Sequence, residues 1–171
     1  MTAADQLLRT LLQLDDPRSV LRRLDEIAAD PGRVPTDFAW LKLAAVAQRA
    51  AAASPPRAPT STELLWAAVG MQCVICALQA VVDQPGLDAQ LVAQAFDTHL
   101  PFSPAYAVAM VTGQVWDHPE IDELEQLRYL AQALPLLRTL VTAGRITPSP
   151  DLSAWLAAGD QMTAQATSWP W

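Results

Sequence analysis

Two cysteines are the residues whose type and spacing best match a known catalytic motif. Cys73 and Cys76 form a Cys-x-x-Cys motif and are the only cysteines among the 171 residues. Side chains three residues apart on a helix lie on the same face, so the two thiols can meet. A thiolate with a lowered pKa at a helix N-terminus would be a redox nucleophile. Thiol-redox chemistry is therefore the first hypothesis that the sequence raises.

The element that must position this motif is the uncharged segment from Leu64 to Val82 (LLWAAVGMQCVICALQAVV). A helix of this length spans roughly 28 Å at 1.5 Å per residue, which is enough to cross a domain of this size. Thr60, Ser61 and Thr62 offer N-caps for it. The motif then lies about ten residues inside a buried helix and far from its positive end. Buried core cysteines are the interpretation that this position favours.

The segment also resembles a known enzyme family. Glu63 ahead of Cys73 and Cys76 is similar to the all-helical AhpD-like (alkylhydroperoxidase and carboxymuconolactone decarboxylase) families, in which a Glu precedes Cys-x-x-Cys-x-x-x-His on a central helix. The resemblance implies a helical fold with a peroxidatic thiol pair. The family's His falls at Ala80, so the proton relay that would activate a thiol is missing. We predict no catalytic residues and keep Glu63, Cys73 and Cys76 as the alternative, redox set.

Metal binding is not expected from the remaining soft ligands. The two histidines, His99 and His118, flank a predicted helix at about 104–115. A helix of about 18 Å would hold them at its opposite ends, where they cannot share an ion. We therefore expect neither a metal nor another cofactor.

The whole chain has helical periodicity and no strand-like alternation. Asp-Pro and Ser-Pro units such as Asp16-Pro17 and Ser103-Pro104 predict helix starts, with an N-cap followed by a first-turn proline. The predicted helices cover about 3–14, 17–29, 36–53, 64–82, 88–98, 104–115, 119–143 and 150–164. The fold class is all-α: an irregular bundle of about eight helices around a central apolar helix, 64–82. We predict one domain, 1–165, with a Pro-rich connector at 54–59 inside it and a Trp-containing C-terminal tail at 166–171.

The composition limits the classes of function. A net charge of -7 and a pI near 4.6 argue against binding to nucleic-acid phosphates. The first 14 residues lack the pattern of a signal peptide, and two thiols in an apolar helix suit a reducing compartment, so we predict a cytoplasmic protein. Gln72 and Gln79 and the absence of a flanking Lys/Arg cluster favour a buried helix over a membrane span for 64–82, and membrane association is kept as an alternative.

Two groups of residues are candidates for binding a protein partner. Trp155, Trp169 and Trp171 place half of the six tryptophans near the end of the chain, and Trp is favoured at interface hot spots. The acidic residues Glu120, Asp122 and Glu123 crowd the start of the predicted helix 119–143. Arg-rich and Ala-rich usage indicates a bacterial source. We predict a non-catalytic bacterial helical interaction module (an adaptor, a chaperone-like accessory factor or an immunity-type protein) and leave self-association open.

Overall fold

Helices make up all the regular structure in the described part of the chain. The computed structural model describes residues 6, 9–11, 13, 16–29, 44, 47, 61–97, 103–112 and 121–165, and no strand occurs among them. Six helices have defined bounds: α1 Pro17–Ala28, α2 Ser61–Asp83, α3 Ala89–Asp97, α4 Pro104–Val111, α5 Ile121–Thr142 and α6 Pro150–Gln165. The all-α prediction is confirmed. The number of about eight is not, because the predicted helices at 3–14 and 36–53 lie largely outside the described residues, as does the connector at 54–59.

The predicted helix starts at Pro17 and Pro104 are confirmed, whereas α2 begins at Ser61, three residues before the predicted 64, so that Ser61 and Thr62, expected as N-caps, lie inside the helix. The Asp16 carboxylate accepts hydrogen bonds from two backbone amides of the first turn of α1, at 3.0 and 3.2 Å, and Pro17 is the first helical residue. Ser103 accepts a 3.2 Å bond from the Tyr106 amide, and Pro104 begins α4. Such caps satisfy amides that have no partner within the helix. Local sequence therefore decides where these helices begin.

Helix α2 is apolar on nearly all sides and contacts α1, α3 and α5. It is also the one described helix that is long and apolar enough to cross a membrane: its window at Thr62–Asp83 has a mean hydropathy of 1.9, and 78% of that window is buried. The core helix of a soluble protein satisfies the same criterion. That α2 is the centre of the whole bundle stays a prediction, because it involves the predicted helix at 36–53.

A left-handed glycine ends α5. Gly144 has φ +73, which a residue with a side chain rarely adopts. Its amide donates to the Val141 carbonyl at 3.0 Å, and the Arg145 amide donates to the Leu140 carbonyl at 2.9 Å. These two bonds form a Schellman motif. The motif turns the chain so that Arg145 faces the end of α2.

Arg145 joins the ends of two helices that are distant in sequence. Its guanidinium donates to the Val81 carbonyl and, at 3.2 Å each, to the carbonyls of Gln84 and Leu87. Carbonyls in the last turn of a helix have no partner within the helix, and a cation there also opposes the negative end of the dipole. The side chain thus fixes the end of α2 against the end of α5.

Candidate functional site

The Cys-x-x-Cys motif lies in the sealed interior of the fold. Cys73 and Cys76 are both free thiols with 0% exposure, and Cys73 comes twelve residues after Ser61, the first residue of α2. Burial raises the pKa of the Cys73 thiol well above its ordinary value, and the neighbouring Cys76 adds to the effect. Burial and then the negative charge of Asp25 raise the pKa of Cys76 to about 12. At neutral pH both sulfurs are therefore thiols and not nucleophilic thiolates.

The other residues of the redox alternative do not join the thiols. Glu63 lies in the first turn of α2, ten residues before Cys73, which is about 15 Å along the helix axis. Ala80, at the position where the AhpD-like families have His, is apolar and 5% exposed. The charged group that acts on Cys76 is the Asp25 carboxylate, whose negative charge opposes ionisation of the thiol.

Asp25 takes part in a polar contact between two helices. The hydroxyl of Tyr129, a residue that is 5% exposed, donates to the Asp25 carboxylate with distances of 3.1 and 3.2 Å to its two oxygens. Asp25 belongs to α1 and Tyr129 to α5. This bond holds the carboxylate beside α2, where it raises the pKa of the Cys76 thiol. The contact is therefore structural and acts against thiol activation.

The predicted partner-binding residues fall into three groups. Trp155 is 5% exposed, and its ring meets that of Phe96 edge-on, with the centroids 6.4 Å apart and the planes at 83°. Trp155 is therefore a core residue that packs α6 against α3. This corrects the prediction that Trp155 is a surface anchor for a partner. Asp122 and Glu123 lie in the first turn of α5. Glu120, Trp169 and Trp171 lie outside the described residues.

A groove between α5 and α6 is the feature of the described surface that sequence reasoning missed. It has a cavity volume of about 270 Å³ and a mainly apolar lining. The lining residues are Ala131, Leu134, Pro135, Arg138, Leu156, Gly159, Asp160 and Thr163. The two helices are in close contact at Gly159, where a Cβ atom would stand 2.8 Å from Leu134 Cδ1. The missing side chain at 159 lets the helices approach, and the groove opens beside that point.

A charged pair connects the two helices that form the groove. The Arg138 guanidinium donates to the Asp160 carboxylate at 2.6 Å and to the Leu156 carbonyl at 3.2 Å. The side chains of Arg138 and Asp160 are 45% and 72% exposed, so water screens the pair and its contribution to stability is small. The pair places a guanidinium at the edge of an otherwise apolar surface.

Helix α5, which carries Arg138, also carries a backbone acceptor without its usual donor. Pro135 lies inside α5 and has no amide hydrogen, so the carbonyl of Ala131, four residues earlier, lacks the donor that a helix normally supplies. Both residues line the groove. The sequence signals of this groove are a proline inside one helical pattern, Pro135, and a glycine inside the next, Gly159. Neither reveals a groove until the two helices are known to pack together.

The described residues contain no group of three or more His, Cys, Asp or Glu side chains that could hold a metal ion. Comparisons of the chain with protein-family models, with curated proteins and with solved structures find no match. The resemblance of Glu63, Cys73 and Cys76 to AhpD-like enzymes thus gains no support from the family comparison. The function must be argued from the residues alone.

Proposed function

We propose that the protein is a non-catalytic helical interaction module that binds a protein partner in the bacterial cytoplasm. Its binding residues are Trp169 and Trp171, with Glu120, Asp122 and Glu123 as a second, acidic surface. Such a protein acts as an adaptor, a chaperone-like accessory factor or an immunity-type protein. The domain limits that go with it are 1–165 for the helical domain and 166–171 for the tail.

The observation that carries the proposal is the placement of two tryptophans around Pro170, four and six residues after the last residue of α6. Trp combines a large apolar face with one hydrogen-bond donor, which makes it a frequent anchor in protein interfaces. The net charge of -7 favours a basic partner through faster encounter. The burial and raised pKa of both thiols count against the competing thiol-redox chemistry.

The test is affinity capture by the tagged full chain from a bacterial lysate, followed by calorimetry with the captured partner made pure. We expect a single partner whose binding falls at least about 30-fold for Trp169→Ala/Trp171→Ala, since the loss of even one hot-spot tryptophan costs about 2 kcal/mol or more. The matched control is Leu91→Ala, which removes a 43% exposed apolar side chain from α3. Equal binding by both variants would remove the tryptophans from the site, and no enrichment over an unrelated bait would count against an interaction module.

The second candidate is membrane association through α2, and one observation favours it. The window at Thr62–Asp83 meets the length and hydropathy of a membrane span. Insertion would separate α2 from α1, α3 and α5, which now bury most of it. Recovery of the chain in salt-washed membranes would favour this candidate, and recovery in the detergent-free supernatant would favour the interaction module.

A further inference from the structure

The groove between α5 and α6 has room for a small ligand with one apolar group. A closed apolar cavity of about 150 Å³ suffices to bind benzene, and this groove has about 270 Å³. Pockets for drug-sized ligands are larger, at about 300–1,000 Å³. The lining is mainly apolar and includes Leu134, Pro135 and Leu156. The groove therefore fits a ligand that consists of one aliphatic or aromatic group and a few further atoms.

Arg138 brings a positive charge to this groove, and two bonds to α6 orient it. Both bonds leave from Nη2, one to the Leu156 carbonyl at 3.2 Å and one to the Asp160 carboxylate at 2.6 Å. The Nε and Nη1 atoms make no hydrogen bond with the described residues. This edge of a guanidinium presents two parallel N–H donors, which match the two oxygens of a carboxylate. The side chain is thus oriented with its carboxylate-binding edge uncommitted.

Asp160 supplies the opposite charge beside the guanidinium. Its Oδ2 atom accepts the bond from Arg138, and its Oδ1 atom accepts none from the part of the chain that the structure describes. The side chain is 72% exposed, so a ligand in the groove reaches it from solvent. A ligand with only a carboxylate would be repelled by Asp160, and one with only an ammonium group would be repelled by Arg138. A ligand that carries both charges on neighbouring atoms complements the pair.

From these observations we propose that the groove binds a free apolar α-amino acid, of the leucine or phenylalanine type. The carboxylate of the ligand binds the Nε–Nη1 edge of Arg138, and its ammonium group binds Oδ1 of Asp160. Its side chain lies against Leu134 and Leu156. A peptide terminus offers only one of the two charges, so a free amino acid is the ligand class that uses all three features. The proposal does not depend on the proposed function, because the two involve different residues.

The experiment is a titration of the isotope-labelled full chain with L-phenylalanine and with L-leucine, followed by proton–nitrogen correlation NMR. The spectra include the Nε–Hε signal of Arg138. We expect saturable shifts of that signal and of the backbone amides of Gly159 and Thr163, which line the groove. The midpoint should be about 1 mM or below, as for a ligand of about a dozen non-hydrogen atoms.

Three further probes separate the parts of the ligand. N-acetyl-L-phenylalanine keeps the carboxylate and represents the C-terminus of a peptide, and L-phenylalanine amide keeps the ammonium group and represents the N-terminus. Each should bind at least about tenfold more weakly, because each loses a charge-assisted hydrogen bond. Glycine keeps both charges and lacks the side chain, so its binding should fall about 10- to 100-fold.

Two variants with matched controls locate the site. Arg138→Gln and Asp160→Asn should each weaken the binding of L-phenylalanine at least about tenfold. Arg128→Gln and Asp151→Asn remove the same charges from exposed positions of the same helices outside the groove, and they should leave the midpoint unchanged. The Arg138–Asp160 pair is solvent-exposed, so its loss should leave the fold intact, and the same spectra verify this.

Several results would overturn the proposal. The absence of saturable shifts with both amino acids would mean that the groove does not bind them. Equally strong binding of the acetylated or the amidated probe would assign the groove to a peptide terminus. Equal weakening by a groove variant and its control would identify non-specific attraction to surface charge, and shifts centred outside the groove would place the ligand elsewhere. A failure of partner capture, by contrast, would leave these titrations unchanged.

Discussion

The Cys-x-x-Cys segment of α2 and the groove between α5 and α6 are opposites in chemistry and in access. The segment carries the residues that look reactive, yet both thiols have 0% exposure and raised pKa values. The groove contains no thiol, yet it is open to solvent and combines a mainly apolar lining with a guanidinium. The difference teaches that reactive residue types do not make a site where water and substrate cannot reach them.

The largest expected effect is on the rate at which the two thiols are alkylated. Fast alkylation in the folded chain would contradict the contrast between the buried thiols and the open groove. Raising the pKa of Cys76 from 9.0 to about 12 lowers its thiolate fraction at pH 7 by about 1,000-fold, and burial slows attack further. We expect iodoacetamide to label the folded chain at least about 1,000 times more slowly than the urea-unfolded chain, as measured by intact-mass spectrometry.

The rate against pH gives the control for that experiment. Labelling that follows global unfolding is suppressed equally at Cys73 and Cys76 and speeds up as urea is added. Fast labelling of the folded chain with a midpoint near or below pH 7 would contradict burial and restore the redox alternative of Glu63, Cys73 and Cys76.

The next effect compares leucines from the two regions. Leu78 on α2 has 0% exposure, and Leu134 lines the groove at 6% exposure. Leu78→Ala should lower the free energy of unfolding by about 2–5 kcal/mol, since the enclosed site keeps a cavity. Leu134→Ala should cost less, about 1–2 kcal/mol, because its site already opens to solvent and only the transfer term is lost.

Urea unfolding followed by circular dichroism measures both costs. Leu91→Ala, on the exposed surface of α3, should change the free energy of unfolding by less than about 0.5 kcal/mol. Equal costs at positions 78 and 134 would mean that the groove is closed in solution.

Much of the fold could be predicted from the sequence, because its signals are local. Asp16-Pro17 and Ser103-Pro104 were identified as caps, and both form the expected hydrogen bonds. The all-α class and the starts of α1 and α4 follow from such signals, whereas α2 begins three residues before its predicted start. The number of helices and the place of α2 in the whole bundle do not, because they depend on packing between distant segments.

The candidate site was less predictable, for a physical reason. Burial of Cys73 and Cys76 was anticipated because the segment around them is uncharged. The burial of Trp155 was missed, since its contact with Phe96 joins residues far apart in sequence. The groove was missed for the same reason, because Pro135 and Gly159 line a common groove only when α5 packs on α6. Sequence periodicity identifies faces but not which faces meet.

The last effect is the dependence of stability on alkaline pH, and it sharpens the contrast because only one region should show it. The folded state keeps both thiols protonated above pH 9, where the unfolded chain loses these protons. The unfolded state then binds fewer protons, so the free energy of unfolding falls as pH rises, by about 1.4 kcal/mol per pH unit for each thiol. This stability is fully present below the unfolded pKa near 9 and is lost towards the folded value of about 12 for Cys76. Urea unfolding between pH 8 and 10 should show the slope in the unmodified chain and in the groove variant Arg138→Gln. Cys73→Ala/Cys76→Ala should remove most of it, and a slope that survives this double substitution would mean that groups other than the buried thiols cause it.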